Sequence, residues 1–128
     1  MQLRLITALL FAVLFSLPAS AAEPATNAKI LLQSSPLAGF RYYEGKRLWS
    51  EMKVGDALQL VREPENSYDP NAVRVEWRGE KLGYLPRADN AALARFMDRG
   101  SKAEARITRL KKSRNPWQRM EFEVYLDL

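Results

Sequence analysis

Three short stretches hold most of the side chains that could do chemistry. They are Arg41-Tyr42-Tyr43, the run from Glu63 to Asn71, and Gly83-Tyr84-Leu85-Pro86-Arg87. The first sets a cation beside two phenols. On a strand, neighbours alternate between faces, so Arg41 and Tyr43 would share one face and Tyr42 would take the other. An exposed Arg41/Tyr43 face pairs a guanidinium fork for phosphate with a ring for stacking. A buried face makes one tyrosine core and leaves the others as ordinary surface.

The second stretch, Glu63-Pro64-Glu65-Asn66-Ser67-Tyr68-Asp69-Pro70-Asn71, is crowded with turn formers. Asn66 and Asp69 can each accept from a backbone amide two residues on, which makes a rigid connector. A catalytic carboxylate is the weaker reading, because no histidine or lysine stands beside these acids as a partner. In the third stretch, Arg87 falls near the start of a predicted helix, an end that disfavours positive charge. A bound anion would resolve that conflict; a solvated arginine would tolerate it.

A further cluster lies near the C-terminus. From Arg99 to Arg119 there are eight Lys or Arg against one Glu. Within it, Lys111, Lys112 and Arg114 precede Trp117. Cations beside an aromatic suit a nucleic-acid backbone with a stacked base. They suit an anionic membrane surface equally well, and a solvated hairpin tip has the same composition.

What is missing narrows the chemistry. The chain has no cysteine and no histidine. Thiol catalysis, disulfides, zinc fingers and imidazole acid–base chemistry are therefore excluded together. No acidic cluster has the spacing of an oxygen-ligand metal site. No catalytic residue, metal or cofactor is expected, and a hydrolase is the least supported class. The formal charge of +5 and pI near 9.7 favour polyanionic partners. The same charge is also compatible with a purely solubilising role.

The elements that must position these residues read as short strands. Lys29–Ser34, Gly39–Tyr43, Ala57–Arg62, Ala72–Trp77, Lys81–Leu85, Lys102–Leu110 and Met120–Leu128 carry strand patterning. Val73, Val75 and Trp77 share a face, as do Met120, Phe122, Val124, Leu126 and Leu128. Arg87–Arg99 is the one convincing helix, with Leu93, Phe96 and Met97 at helical spacing, Asp89 as its cap and Gly100 as its stop. There is no βαβ rhythm. The expected fold is mostly β with one main α-helix: a small antiparallel barrel of six to seven strands.

At the N-terminus, Arg4 precedes an apolar run from Leu5 to Leu17, followed by small residues through Ala22. This is the layout of a bacterial export signal, and the run is short for a membrane span. The expected organisation is a signal peptide over 1–22, a flexible leader over 23–28 and one domain over 29–128. It would be periplasmic or secreted, a monomer, with no transmembrane anchor after cleavage.

In order, the runs Gly39–Tyr43, Leu60–Val73 and Leu82–Arg87 resemble the HIRAN domain. That module accompanies helicase-like transcription factors and also stands alone in bacteria. The likeness runs from about Ile30 to Leu128. It implies an OB-like barrel with a pocket for the 3′ end of single-stranded DNA. By that likeness Arg41 contacts a phosphate, and Tyr42 and Tyr43 line the pocket or stack on terminal bases. Asp69, with Asn66 and Tyr68 beside it, accepts from the terminal hydroxyl. Arg87 stands near phosphate, and Tyr84 takes a place where some members carry histidine. The leading expectation is thus a non-enzymatic binder of single-stranded nucleic-acid ends. The alternative is an envelope module that keeps the barrel and binds a protein, a peptide or an anionic surface through Lys111 to Trp117.

Overall fold

The computed structural model describes residues 28–128, together with Val13, Leu14 and Ser16. The expected signal peptide and leader otherwise lie outside the described residues. No helix among those described is long and apolar enough to cross a membrane.

Six strands form. They are β1 (Lys29–Pro36), β2 (Ala57–Arg62), β3 (Val73–Trp77), β4 (Glu80–Tyr84), β5 (Ala103–Leu110) and β6 (Met120–Asp127). All neighbours are antiparallel, and the sheet order is β1-β6-β5-β2-β3-β4. The sheet ends are brought together just beyond β1. The Ala38 amide donates to the Tyr84 carbonyl and the Tyr84 amide donates to the Ala38 carbonyl, both at 2.9 Å. Six strands and this closing bridge make the small antiparallel barrel that the alternation predicts, OB-like as the resemblance implies.

Alternation places the core. Val73, Val75 and Trp77 of β3 are buried, as are Met120, Phe122, Val124 and Leu126 of β6. Each large side chain so buried contributes on the order of 1.5–3 kcal/mol. Leu128, expected to continue that face, lies past the end of the strand and is exposed. Trp77 keeps its indole N–H satisfied by donating to Asp56 Oδ2 at 3.1 Å.

Gly39–Tyr43 is not a strand. Phe40–Tyr42 forms a 3₁₀ turn, entered through Gly39 at φ 81°. Phe40 is an anchor here: it is fully buried and packs edge-to-face on Trp49, with centroids 5.6 Å apart. The ambiguous segment that follows is a single helical turn, α1 (Gly45–Leu48).

The predicted helix is also revised. Arg87–Asp89 is a 3₁₀ turn, and α2 spans Ala91–Asp98. Asp89 does not cap it. Asn90 occupies the cap position, and its side chain is used elsewhere. Leu93 and Ala94 face the core. The stop is as expected: Gly100 N–H donates to Met97 O and Ser101 N–H to Phe96 O, both at 3.0 Å. Arg62 of β2 grips Asp98 at the helix end through Nε at 3.0 Å and Nη2 at 3.2 Å.

Candidate functional site

The loop joining β2 to β3 builds one wall of an open hollow of about 580 Å³. Its shape follows from its Asx residues. Asn66 Oδ1 accepts from the amides of Tyr68 at 2.9 Å and Asp69 at 3.1 Å. Asp69 Oδ1 accepts from the Asn71 amide at 2.9 Å. Asp69 Oδ2 accepts from Asn90 Nδ2 at 2.6 Å, and Asn90 is 1% exposed. The loop is therefore pinned to the start of α2 by one buried amide. The negative charge beside that helix start comes from the protein itself, through Asp69.

The opposite wall comes from the closing bridge and β4. Tyr43 and Tyr84 meet edge to face, with centroids 6.0 Å apart. Lys81 Nζ lies 4.1 Å from the Tyr43 centroid and 4.5 Å from that of Tyr84. It donates to the Tyr84 hydroxyl at 2.7 Å, which in turn donates to Glu63 Oε1 at 2.9 Å. Asn66 Nδ2 donates to the same oxygen at 3.0 Å, and Arg74 Nη1 to Glu63 Oε2 at 2.9 Å.

These contacts fix the protonation states. Burial works to raise the Glu63 carboxyl. The hydrogen bonds from Asn66 and Tyr84, with the Arg74 and Lys81 charges, outweigh burial and hold it below its ordinary value. Burial works to lower the Lys81 ammonium. The Tyr84 hydrogen bond and the Tyr84, Tyr43 and Glu63 oxygens overcome it and raise it. Burial also pushes the Tyr84 phenol up, with Glu63 adding and Lys81 opposing. At neutral pH the site therefore presents a charged Lys81, a neutral Tyr84 and an ionised Glu63. It offers cations and aromatic faces to whatever enters the hollow.

Of the eight residues that the resemblance implicates (Arg41, Tyr42, Tyr43, Asn66, Tyr68, Asp69, Tyr84 and Arg87), six line this hollow: Tyr43, Asn66, Tyr68, Asp69, Tyr84 and Arg87. Tyr68 stands at the rim, 86% exposed. Arg41 does not join them. A 3₁₀ turn advances three residues per turn, so successive side chains leave in three directions. Phe40 goes to the core, Tyr42 to solvent at 75% exposure, and Arg41 toward a second hollow of about 450 Å³. The Arg41 guanidinium lies 5.6 Å from the Tyr42 ring centre. The strand-based pairing of Arg41 with Tyr43 on one face is thereby corrected. Of the C-terminal cluster, Lys112 lines the second hollow; Lys111, Arg114 and Trp117 are exposed outside it.

Three contributors went unrecognised in the sequence. Lys81 and Tyr84 would lie on opposite faces of a regular strand. An extra residue in β4, between the pairs Val75↔Gly83 and Glu76↔Lys81, turns them to the same side. Gly83 inside a strand was the available signal for such a bulge. Glu63 read only as a loop residue, and Asn90 carried no local mark of its role. Among the described residues no group of three or more acidic side chains could hold a metal ion.

Comparison with known proteins agrees with this architecture. The profile of the HIRAN domain matches residues 30–128. A Fanconi-associated nuclease 1 homolog from Oryza sativa subsp. japonica is 36% identical over 67 residues, 49% of this chain and 6% of that protein. The helicase-like transcription factor of Oryctolagus cuniculus is 43% identical over 63 residues, 48% of this chain and 6% of the relative. The chain thus matches only a small part of these curated relatives. A crystal structure of a protein from Lactobacillus plantarum superposes with a TM-score of 0.70 at 30% identity, covering 78% of this chain and 96% of the other. The crystal structure of the HIRAN domain of human HLTF gives 0.59 at 26% identity, covering 77% and 78%. With a profile match across nearly all the described residues and the same barrel in both solved structures, the chain belongs to the HIRAN domain family.

Proposed function

We propose that this protein is a non-enzymatic nucleic-acid-binding module that holds the 3′ end of single-stranded DNA. The observation that carries this reading is the Tyr43–Lys81–Tyr84 wall facing the Asp69 loop across one open hollow. The rings supply stacking surface for bases, and Lys81 and Arg87 supply charge for phosphate. Asp69 spends one bond on each carboxylate oxygen within the protein. Each oxygen keeps a lone pair, so the group can still accept from a sugar hydroxyl. The apolar N-terminal run supports action outside the cytoplasm, on extracellular or incoming DNA.

Fluorescence anisotropy with labelled oligonucleotides tests this. Affinity should fall steeply with salt as counterions are released. An oligonucleotide ending in a 3′-phosphate should bind more weakly than one with a free 3′-hydroxyl, because Asp69 repels the added charge. Equal affinity for the two ends would sink the end-holding claim. Absence of binding at low salt would sink the nucleic-acid reading.

A further inference from the structure

The second hollow has a composition unlike the first. Arg41, Lys46, Lys112 and Arg119 converge on it, around Trp49. No carboxylate lines it, and none of the four cations forms an ion pair among the described residues. Arg47, Arg62, Arg74 and Arg109 find acids; what sets this hollow apart is that four unpaired cations line one concavity. Four uncompensated cations in one concavity repel each other, and an anion would relieve that repulsion.

The hollow is also built rather than incidental. Arg119 is held by donating from Nε to the Ser113 carbonyl at 2.8 Å, and its guanidinium lies 5.2 Å from the Phe40 ring centre. Phe40 is fixed in turn by the core and by Trp49. Gly45 permits that arrangement, since a Cβ there would lie 2.4 Å from the Phe40 ring. Trp49 is half-buried and contributes an aromatic wall among the cations.

The two hollows share one short segment. Phe40 and Arg41 line the second, and Tyr43, two residues later, lines the first. The segment Phe40–Tyr43 therefore lies between the two hollows.

We propose that the second hollow is a contact for the body of a single strand, separate from its end. Arg41, Lys46, Lys112 and Arg119 take backbone phosphates, and Trp49 offers a face to a base. This extends the end-holding reading, on which it rests for the class of ligand. It assigns a role to Lys46, Trp49 and Arg119, and gives Arg41 and Lys112 a common partner.

The test uses the full chain with 5′-labelled oligothymidines of three and twelve nucleotides, each with a free 3′-hydroxyl. The wild type should bind the twelve-mer at least about tenfold more tightly than the three-mer. The double variant Lys46→Ala/Lys112→Ala, at two exposed positions, should lose about tenfold on the twelve-mer and nothing on the three-mer. Its salt slope on the twelve-mer should shrink by about 1.4, the share of two phosphates on a single strand. Trp49→Phe, which keeps an aromatic ring for packing, identifies the Trp49 indole signal in the NMR spectrum. That signal should shift with the twelve-mer and stay in place with the three-mer. Equal affinity of the wild type for both lengths would overturn the proposal, and so would an equal loss on both in the double variant. A twelve-mer blocked by a 3′-phosphate probes the end contact separately. If it binds as well as the free one while the double variant still loses tenfold, the end-holding reading fails and the second hollow stands as a strand contact.

Discussion

A Cβ placed on Gly83 would lie 2.1 Å from the carbonyl oxygen of Ala38. That oxygen accepts from the Tyr84 amide, so the close approach and the closing bridge are the same feature. Gly83→Ala should force the two segments apart and lose both 2.9 Å bonds. The expected cost is about 3 kcal/mol, with a melting temperature lowered by more than about 10 °C. Thermal unfolding followed by circular dichroism measures it, and a change under about 2 °C would show that the barrel tolerates an open seam.

Asn90 is a hinge pin between the Asp69 loop and α2. Asn90→Ala removes the 2.6 Å bond and leaves Asp69 Oδ2 without that donor. A loss of about 1–3 kcal/mol is expected in urea unfolding. Amide hydrogen exchange should rise at Tyr68, Asp69 and Asn71, where the Asx turns depend on the pinned loop, before it rises in β5 or β6.

Glu63 predicts an acid dependence with a definite sign. Its folded carboxyl titrates below the ordinary value. The unfolded chain therefore binds its proton first as pH falls, and the stabilisation is lost as pH drops through the folded value. At neutral pH, Glu63→Gln should be less stable than the wild type. That gap should narrow on acidification below the ordinary carboxylate range. Parallel urea titrations of the two proteins at several pH values provide the check; a pH-independent gap would assign the effect to packing instead.

Tyr43→Ala removes one stacking ring from the first hollow while leaving the core intact, since Tyr43 is exposed. On the end-holding reading it should weaken oligonucleotide binding by about 1–3 kcal/mol per lost stack. Lys81→Met should weaken binding too and reduce the salt slope, because it deletes a cation from the same wall. Anisotropy titrations at two salt concentrations separate the two effects.

The sequence by itself determined the barrel and most of one pocket wall. Strict alternation in Val73–Trp77 and Met120–Leu126 can bury its apolar set in one way only, so those strands follow from residue type. Asn66 and Asp69 fold their loop through bonds two or three residues away, which is why it too was legible. Tertiary structure alone decided the rest. Phe40 found its place against Trp49 and turned Gly39–Tyr43 from a strand into a 3₁₀ turn, sending Arg41 and Tyr43 to different hollows. The β4 bulge brought Lys81 beside Tyr84. Asn90 met Asp69 across 21 positions of sequence. Each of these turns on a contact between segments distant in the chain or on one inserted residue of register. Local pattern carries no information about either, because both are set by what packs best once the barrel has closed.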